Sequence, residues 1–410
     1  MTLRASATMQ ATVFNTFFRE TSLAPDSDDF FKWVRTLKSS TAGQPLLDFG
    51  VADAFIPPAD ELSQALSSLA TRRELHGYVY HHSAYEAACL RHATQGMDAP
   101  PALAVLPTSG AKSALNLLCL ALIDTGDVIL ATTPAYPIFS TIARRMGATV
   151  VHLPLLEEND FLPDLHQLSP EVLARAKLLI VNYPNNPTGK VASQQECDRL
   201  LAICRDHDIL LINDAAYSDL LPAERPRGRF LYSEGASSHC IEVHSFSKSL
   251  QIPGWRLGFI LAAPAIIEAL GKLSLLHESG QPRILLDAVT CILDDRGFAE
   301  RLCQCIAQRR AVMVDILQAH GLEVLNADGT FFVYVRCPAA VSNGRTFATA
   351  RDFSQYLATE LGILTIPYQV AGRHQVRFSV AFCGEAETVF NRLRQQLSNV
   401  QFSLAERVSA

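Results

Sequence analysis

No stretch of this chain is long and apolar enough to cross a bilayer. The longest run, from Leu115 to Ile123, is interrupted by Asn116 and falls far short of the ~20 residues a spanning helix needs. The first 14 residues hold one arginine and no continuous apolar core, so no secretory signal is expected. Basic clusters are missing too. With 35 Lys and Arg against 41 Asp and Glu, the net charge of −6 argues against a nucleic-acid surface. The stretch before residue 45 is neither long nor basic enough for the DNA-binding module of a cofactor-sensing regulator. Ten cysteines occur without one C-x-x-C pair, Cys303 and Cys305 being nearest. That spacing argues against a zinc site or a disulfide frame, so no metal is expected; reduced, buried thiols of a cytoplasmic protein are. Internal repeats and low-complexity tracts are absent, which sets aside solenoids and disordered linkers.

What remains is the composition of a globular protein: 410 residues, 49% hydrophobic and 19% charged. That length exceeds one ordinary core, so two domains are expected. Residues 1–45 read as an arm with a helix over 28–38 that packs with the smaller domain, 46–285 as a large domain, and 286–410 as a small one. Within the large domain, short apolar runs at 128–131, 149–152, 178–181, 209–212 and 241–243 alternate with helical patterns such as 194–207. Near-continuous apolar strands separated by helices imply an α/β fold around a buried, mainly parallel sheet. Residues 46–50 read as a short strand ending in a turn, and 113–122 as a helix. Long helices are expected from 273 to 305 and on to 320. Strands at 331–335 and 376–380 then mark the small α+β domain. Ligands of such sheets collect at the carboxyl ends of the strands.

Polar motifs fall at those ends. In Ser245-Phe246-Ser247-Lys248, followed by Gly254-Trp255-Arg256-Leu257-Gly258, a lysine lies beside two hydroxyls and a guanidinium. The amine can form a Schiff base, while Ser245, Ser247 and Arg256 can hold a phosphate dianion. The strand at 178–181 runs into Asn182-Tyr183-Pro184-Asn185-Asn186-Pro187-Thr188-Gly189, leaving Asn186 at its mouth. An amide there either donates to a ring oxygen or completes an ordinary Asn-Pro turn. The next strand ends in Asn213-Asp214-Ala215-Ala216-Tyr217. Asp214 fits a partner for a pyridine nitrogen and a helix N-cap equally well.

Taken in order, N-x-x-N-N-P-T-G, D-x-x-Y and S-x-S-K with its arginine resemble the class I/II branch of the fold-type I aminotransferases, which depend on pyridoxal 5'-phosphate (PLP). The likeness runs from about residue 45 to 395. It implies a seven-stranded, mainly parallel sheet flanked by helices, plus a smaller α+β domain. Lys248 is then the Schiff-base lysine and proton shuttle, Asp214 the pyridinium partner, and Asn186 and Tyr217 the donors to the ring hydroxyl. Ser109, Gly110, Ala111 and Lys112 match the phosphate seat at a helix start, joined by Ser245, Ser247 and Arg256. Tyr136 matches the aromatic that stacks on the ring. Tyr78 matches a tyrosine reaching the neighbouring subunit's phosphate, which implies a homodimer with composite sites. Arg377, with Asn186 and the backbone of Gly50, matches the clamp on the substrate carboxylate. The implied activity moves the amino group of an α-amino acid to a 2-oxo acid, with neither nucleic acid nor membrane as partner.

Departures from the family pattern bear on the substrate. Tyr368 follows Pro367 where a glycine is usual, and the loop 369–375 is short. The segment after Tyr78 reads His81-His82-Ser83-Ala84-Tyr85. Arg283, His277, Lys112 and His81 are the candidates to meet a substrate side chain. Gly50-Val51-Ala52-Asp53 and Ser109-Gly110-Ala111-Lys112 are similar to the LL-diaminopimelate aminotransferase subgroup. That subgroup has natural-product relatives, so a PLP-dependent cyclase, lyase or oxidase acting on a modified, basic amino acid is the alternative.

Overall fold

In a computed structural model of the chain, residues 33–34, 36–39, 46–50, 52–95, 102–221 and 228–404 are described. Most of the expected arm lies outside them, as does Val51. Of the helix expected over 28–38, residues 33–34 and 36–39 are helical. There Leu37 is buried with Trp33 and Val34 against Ala358 and Leu364.

The described strands are β1 (Leu47–Asp48), β2 (Ala104–Thr108), β3 (Val128–Thr133), β4 (Thr149–Pro154), β5 (Ala176–Val181), β6 (Leu210–Asp214), β7 (Cys240–Ser245) and β8 (Gly258–Ala262). Further along come β9 (Val324–Asn326), β10 (Phe332–Arg336), β11 (Ala340–Val341), β12 (Ile363–Leu364), β13 (Ile366–Val370), β14 (Arg373–Ser379) and β15 (Phe402–Ser403). Seven of them form one sheet in the order β2-β8-β7-β6-β5-β3-β4. Strands β3 to β7 pair in parallel, and β8 runs against both β7 and β2. This is the mainly parallel sheet that the apolar runs predict.

Both faces of the sheet are covered, which is why its inner strands are largely apolar. One face carries Ile129, Ile212, Ile241, Val243 and Ile260 against Leu118, Phe139, Ala143 and Leu270 of the helices Ala111–Leu122, Ile138–Arg145 and Pro264–His277. The other face buries Leu130, Leu179, Leu211 and Phe259 among Tyr85, Leu201 and Cys204. The helix Gln194–Asp206 starts in a capping box: Ser193 Oγ accepts from Glu196 N–H, and Glu196 Oε2 accepts from Ser193 N–H at 2.7 Å.

Past residue 285 the pattern changes. The continuous helices expected from 273 to 320 are broken into Pro264–His277, Arg283–Thr290 and Gly297–Ala319. Gly280 and Pro282 interrupt the first gap, a glycine at φ +84 and an imide without an N–H. A four-stranded antiparallel sheet follows, in the order β13-β14-β10-β9. Strand β1 pairs in parallel with β12, far along the chain. Ion pairs from Glu157 to Arg336 and from Glu158 to Arg373 join the turn after β4 to this C-terminal sheet.

Candidate active site

Strands β5, β6 and β7 are neighbours in the sheet, and each delivers a motif at its carboxyl end. After β5, the turn Asn182–Gly189 holds itself together through side-chain amides. Asn182 Oδ1 accepts from Asn186 N–H at 2.7 Å, and Asn185 Oδ1 accepts from the Thr188 hydroxyl at 2.7 Å. Asn182 Nδ2 also donates to the Asp214 carbonyl, so the ends of β5 and β6 are stitched together. The peptide bonds before Pro184 and Pro187 are cis. Asn186 has both ends of its amide in use: Nδ2 donates to Tyr217 Oη at 3.3 Å, and Oδ1 accepts from Arg377 Nη1 at 2.7 Å.

Arg377 lies on β14, paired opposite Tyr334 on one side and Ile366 on the other. Its guanidinium sits 4.1 Å from the Phe332 ring centroid. Nη2 donates to the Gly50 carbonyl at 2.6 Å, while the buried Nε has no hydrogen-bond partner among the described residues. The clamp expected of Arg377, Asn186 and Gly50 is therefore one connected group.

Asp214 ends β6 and is buried. Among the described residues its carboxylate receives one hydrogen bond, from Ala216 N–H at 3.3 Å. Burial dominates that bond and the nearby His244, pushing the carboxyl up to about 6. Burial likewise pushes the phenol of Tyr217 upward. Lys248, in the short helix Phe246–Ser249, is moved the other way: desolvation lowers it to about 8, Asp53 opposing while Arg377 and Arg256 assist. Its Nζ donates to the Ala52 carbonyl.

The phosphate-type donors come together at the start of the helix Ala111–Leu122, two residues earlier than the expected 113. Gly110 caps it at φ +78, a conformation glycine adopts without penalty. Added bulk has nowhere to go, since a Cβ here would lie 2.8 Å from Arg256 Nη2. That nitrogen donates to the Ser109 carbonyl at 3.3 Å. Ser245 Oγ accepts from Ser247 N–H at 3.2 Å. Tyr136, 41% exposed, feels both Asp214 and Arg256 electrostatically while burial raises its phenol.

Other expected residues stand apart. Ser109 Oγ is turned to Glu278, donating to its carboxylate at 2.7 Å. Lys112 and His277 line a groove of about 580 Å³ beside Ser109 and Arg256. Tyr78 is 80% exposed and stacks on Tyr80, centroids 6.1 Å apart. His81 pairs with Glu86 and Arg283 with Asp287. Reading the sequence missed Asp53, Gln251, Glu278 and Phe332. Gln251 lies inside the lysine motif itself, so its position was the available signal; Glu278 had none.

This set of side chains suits PLP. Ser245, Ser247 and Arg256 form a hydroxyl–guanidinium donor set, Gly110 keeps added bulk away from Arg256, and Asp214 is a buried carboxylate with no ion pair among the described residues. The comparisons agree. Over residues 45–390 the chain matches the family described as aminotransferase class I and II. It is 38% identical over 290 residues to an LL-diaminopimelate aminotransferase of Methanocaldococcus jannaschii, covering 71% of this chain and 69% of that one. Another such enzyme, from Syntrophobacter fumaroxidans, is 30% identical over 345 residues, 82% of this chain and 87% of its own. Among solved structures, substrate-bound BacF from Bacillus subtilis superposes with a TM-score of 0.82 at 27% identity, covering 92% of this chain and 96% of that one. The chain belongs to the class I and II aminotransferases, PLP-dependent enzymes that move an amino group from an amino acid to a 2-oxo acid.

Proposed function

We propose that Lys248, Asp214, Asn186, Tyr217 and Arg377 form the transamination centre, and that its amino donor is LL-diaminopimelate or a similar amino acid with a second polar end. The observation that carries the first part is the unbroken contact path from Tyr217 through Asn186 and Arg377 to Gly50. Asp214 and Lys248 lie within the electrostatic reach of the same groups. The curated relatives named above support the donor, as do the exposed Asp53 beside Lys248 and the cation Lys112. They also favour transfer over the cyclase, lyase and oxidase readings.

In this reading Ser245, Ser247, Arg256 and the N–H groups at Gly110 and Ala111 hold the phosphate. Asp214 faces the ring nitrogen, Asn186 and Tyr217 the ring hydroxyl, and Tyr136 a ring face. When bound, PLP supplies the electron sink that makes the substrate Cα proton removable. Arg377 receives the α-carboxylate in two parallel N–H···O bonds, turning the Cα toward Lys248. Lys248 Nζ, neutral above about pH 8, takes that proton and returns one. Ser109 Oγ donates to Glu278 and Ser245 Oγ to Ser247 Oγ, which leaves Arg256 and Ser247 as the principal side-chain donors to phosphate.

A homodimer, with the partner subunit's Tyr78 completing each site, accounts for a tyrosine left 80% exposed. We place the division between large and small domains near residue 285. Its support is that the seven-stranded sheet uses strands up to Ala262 and the antiparallel sheet strands from Val324; β1 joins the second group through β12. A cytoplasmic location fits ten free cysteines. Among the described residues no helix is long and apolar enough to cross a membrane. The test is the absorption spectrum of PLP-loaded protein given single L-amino acids without a 2-oxo acid. LL-diaminopimelate is expected to bleach the visible band, and 2-oxoglutarate to restore it. Product release with the band unchanged would reject transamination, and bleaching by other amino acids alone would reject this donor.

A further inference from the structure

The strip 50–55 meets both halves of the proposed centre. Gly50 O accepts from Arg377 and Ala52 O from Lys248, while Asp53 acts electrostatically on Lys248. One end of the strip is fastened to the C-terminal sheet: Phe49 N–H donates to Leu364 O at 3.0 Å, and Phe49 O accepts from Ser379 N–H at 2.7 Å. At the other end the Phe55 ring lies 5.0 Å from the Arg309 guanidinium and packs edge-on against Phe331. Arg309 in turn donates to the carbonyls of Val380 and Phe382. The strip is thus held mainly by the part of the protein that carries Arg377.

Gln251 joins it to the lysine loop. Its Oε1 accepts from Phe55 N–H at 3.0 Å, and its Nε2 donates to Lys248 O at 2.8 Å. The residue is 3% exposed and its bond to Phe55 is buried, where a lost partner is costly. The backbone sits at φ +56, a left-handed conformation that a glutamine seldom adopts and that persists where surroundings over-determine it.

We propose that Gln251 is a positioning residue: by tying the Lys248 carbonyl to the Phe55 amide, it sets the spacing between the lysine amine and the carboxylate clamp at Arg377. This rests on the roles given above to Lys248 and Arg377. The substrate Cα sits between these two groups, and an error of about 1 Å in such a spacing can cost ~10²-fold in rate.

The test compares Gln251→Leu and Gln251→Asn with the parent as PLP-loaded enzymes. Leucine keeps the bulk without the hydrogen bonds; asparagine reaches one partner but not both. Q251L is expected to bind one PLP per chain, raise KM for the amino donor ~10-fold and lower kcat/KM ~10²-fold, with Q251N between it and the parent. In cofactor-free Q251L, competitive amine labelling read by mass spectrometry should show Lys248 reacting like a more exposed lysine. Parental KM and kcat would overturn the proposal. So would a kcat that falls only in step with PLP content at constant KM, the mark of a purely structural glutamine. If Q251L does not fold, Q251N decides on the same criteria. The controls Lys248→Ala and Arg377→Ala separate the layers: an active K248A defeats the underlying reading, whereas an inactive K248A beside a parental Q251L defeats the inference alone.

Discussion

Burial acts in opposite directions on the two ionisable groups at the centre. Asp214 is held up at about 6, against an ordinary 3.8, so the folded cofactor-free protein keeps a proton that the unfolded chain has released. The stability it contributes is therefore lost as pH rises from about 3.8 to about 6. At roughly 1.4 kcal/mol per pH unit, about two units amount to ~3 kcal/mol. Asp214→Asn removes that penalty. Cofactor-free D214N should melt higher than the parent at pH 8 in scanning fluorimetry, yet turn over ~10²- to 10³-fold more slowly once PLP is added. Equal melting points would show that the carboxylate carries no such cost. Lys248 has the reverse sign: held at about 8 rather than 10.5, it sheds its proton early. The cost of burying its ammonium is present below about 8 and disappears as pH rises from there to 10.5. Growth of the visible PLP band on mixing with cofactor-free protein should accelerate with pH to a midpoint near 8. A midpoint at 10.5 would mean the lysine is not desolvated.

Elements were legible where one physical signal dominated. Strands β3, β5, β6 and β7 are apolar runs ending in polar motifs, and the structure keeps them within a few residues of the expected bounds. Strands β2 and β8 escaped notice for local reasons. The first carries Pro107, tolerable because β2 is an edge strand, and the second opens on Gly258, still inside the lysine motif. After residue 273 the helical spacing continues on either side of Gly280 and Pro282, but these two residues break the helix between His277 and Arg283. Gln251 stands inside the lysine motif, but its contact with Phe55 leaves no pattern in the sequence, because the partner contributes only a backbone N–H and could be almost any residue. The start of the helix Ala111–Leu122 supports a sharper expectation. Gly110→Ala forces a Cβ to within 2.8 Å of Arg256 Nη2 at a φ of +78. PLP affinity, measured by titration of the cofactor-free protein, should fall at least ~10-fold, since Arg256 has to move from the phosphate seat; unchanged affinity would remove Arg256 from that role.

At the scale of the molecule, no contiguous segment contains the proposed centre; it is assembled from the strip near residue 50, three neighbouring strands of one sheet and an inner strand of another. The proposed dimer adds a further contributor. Mixing K248A with Tyr78→Ala subunits, each inactive alone, should restore activity, because one site in the hybrid then has an intact lysine and the partner subunit's Tyr78. No recovery after proven subunit exchange would place Tyr78 outside the site.

The bond from Arg377 to Gly50 spans 327 residues. A ribosome adding about 5–20 residues per second delivers Arg377 roughly 15–65 s after Gly50. Through most of that interval β1 has no β12 to pair with, and throughout it the Phe49 carbonyl lacks the Ser379 N–H from which it accepts in the finished fold. Stalling or truncation before residue 377 leaves a chain that contains all seven strands of the large sheet but lacks the arginine proposed to hold the substrate carboxylate.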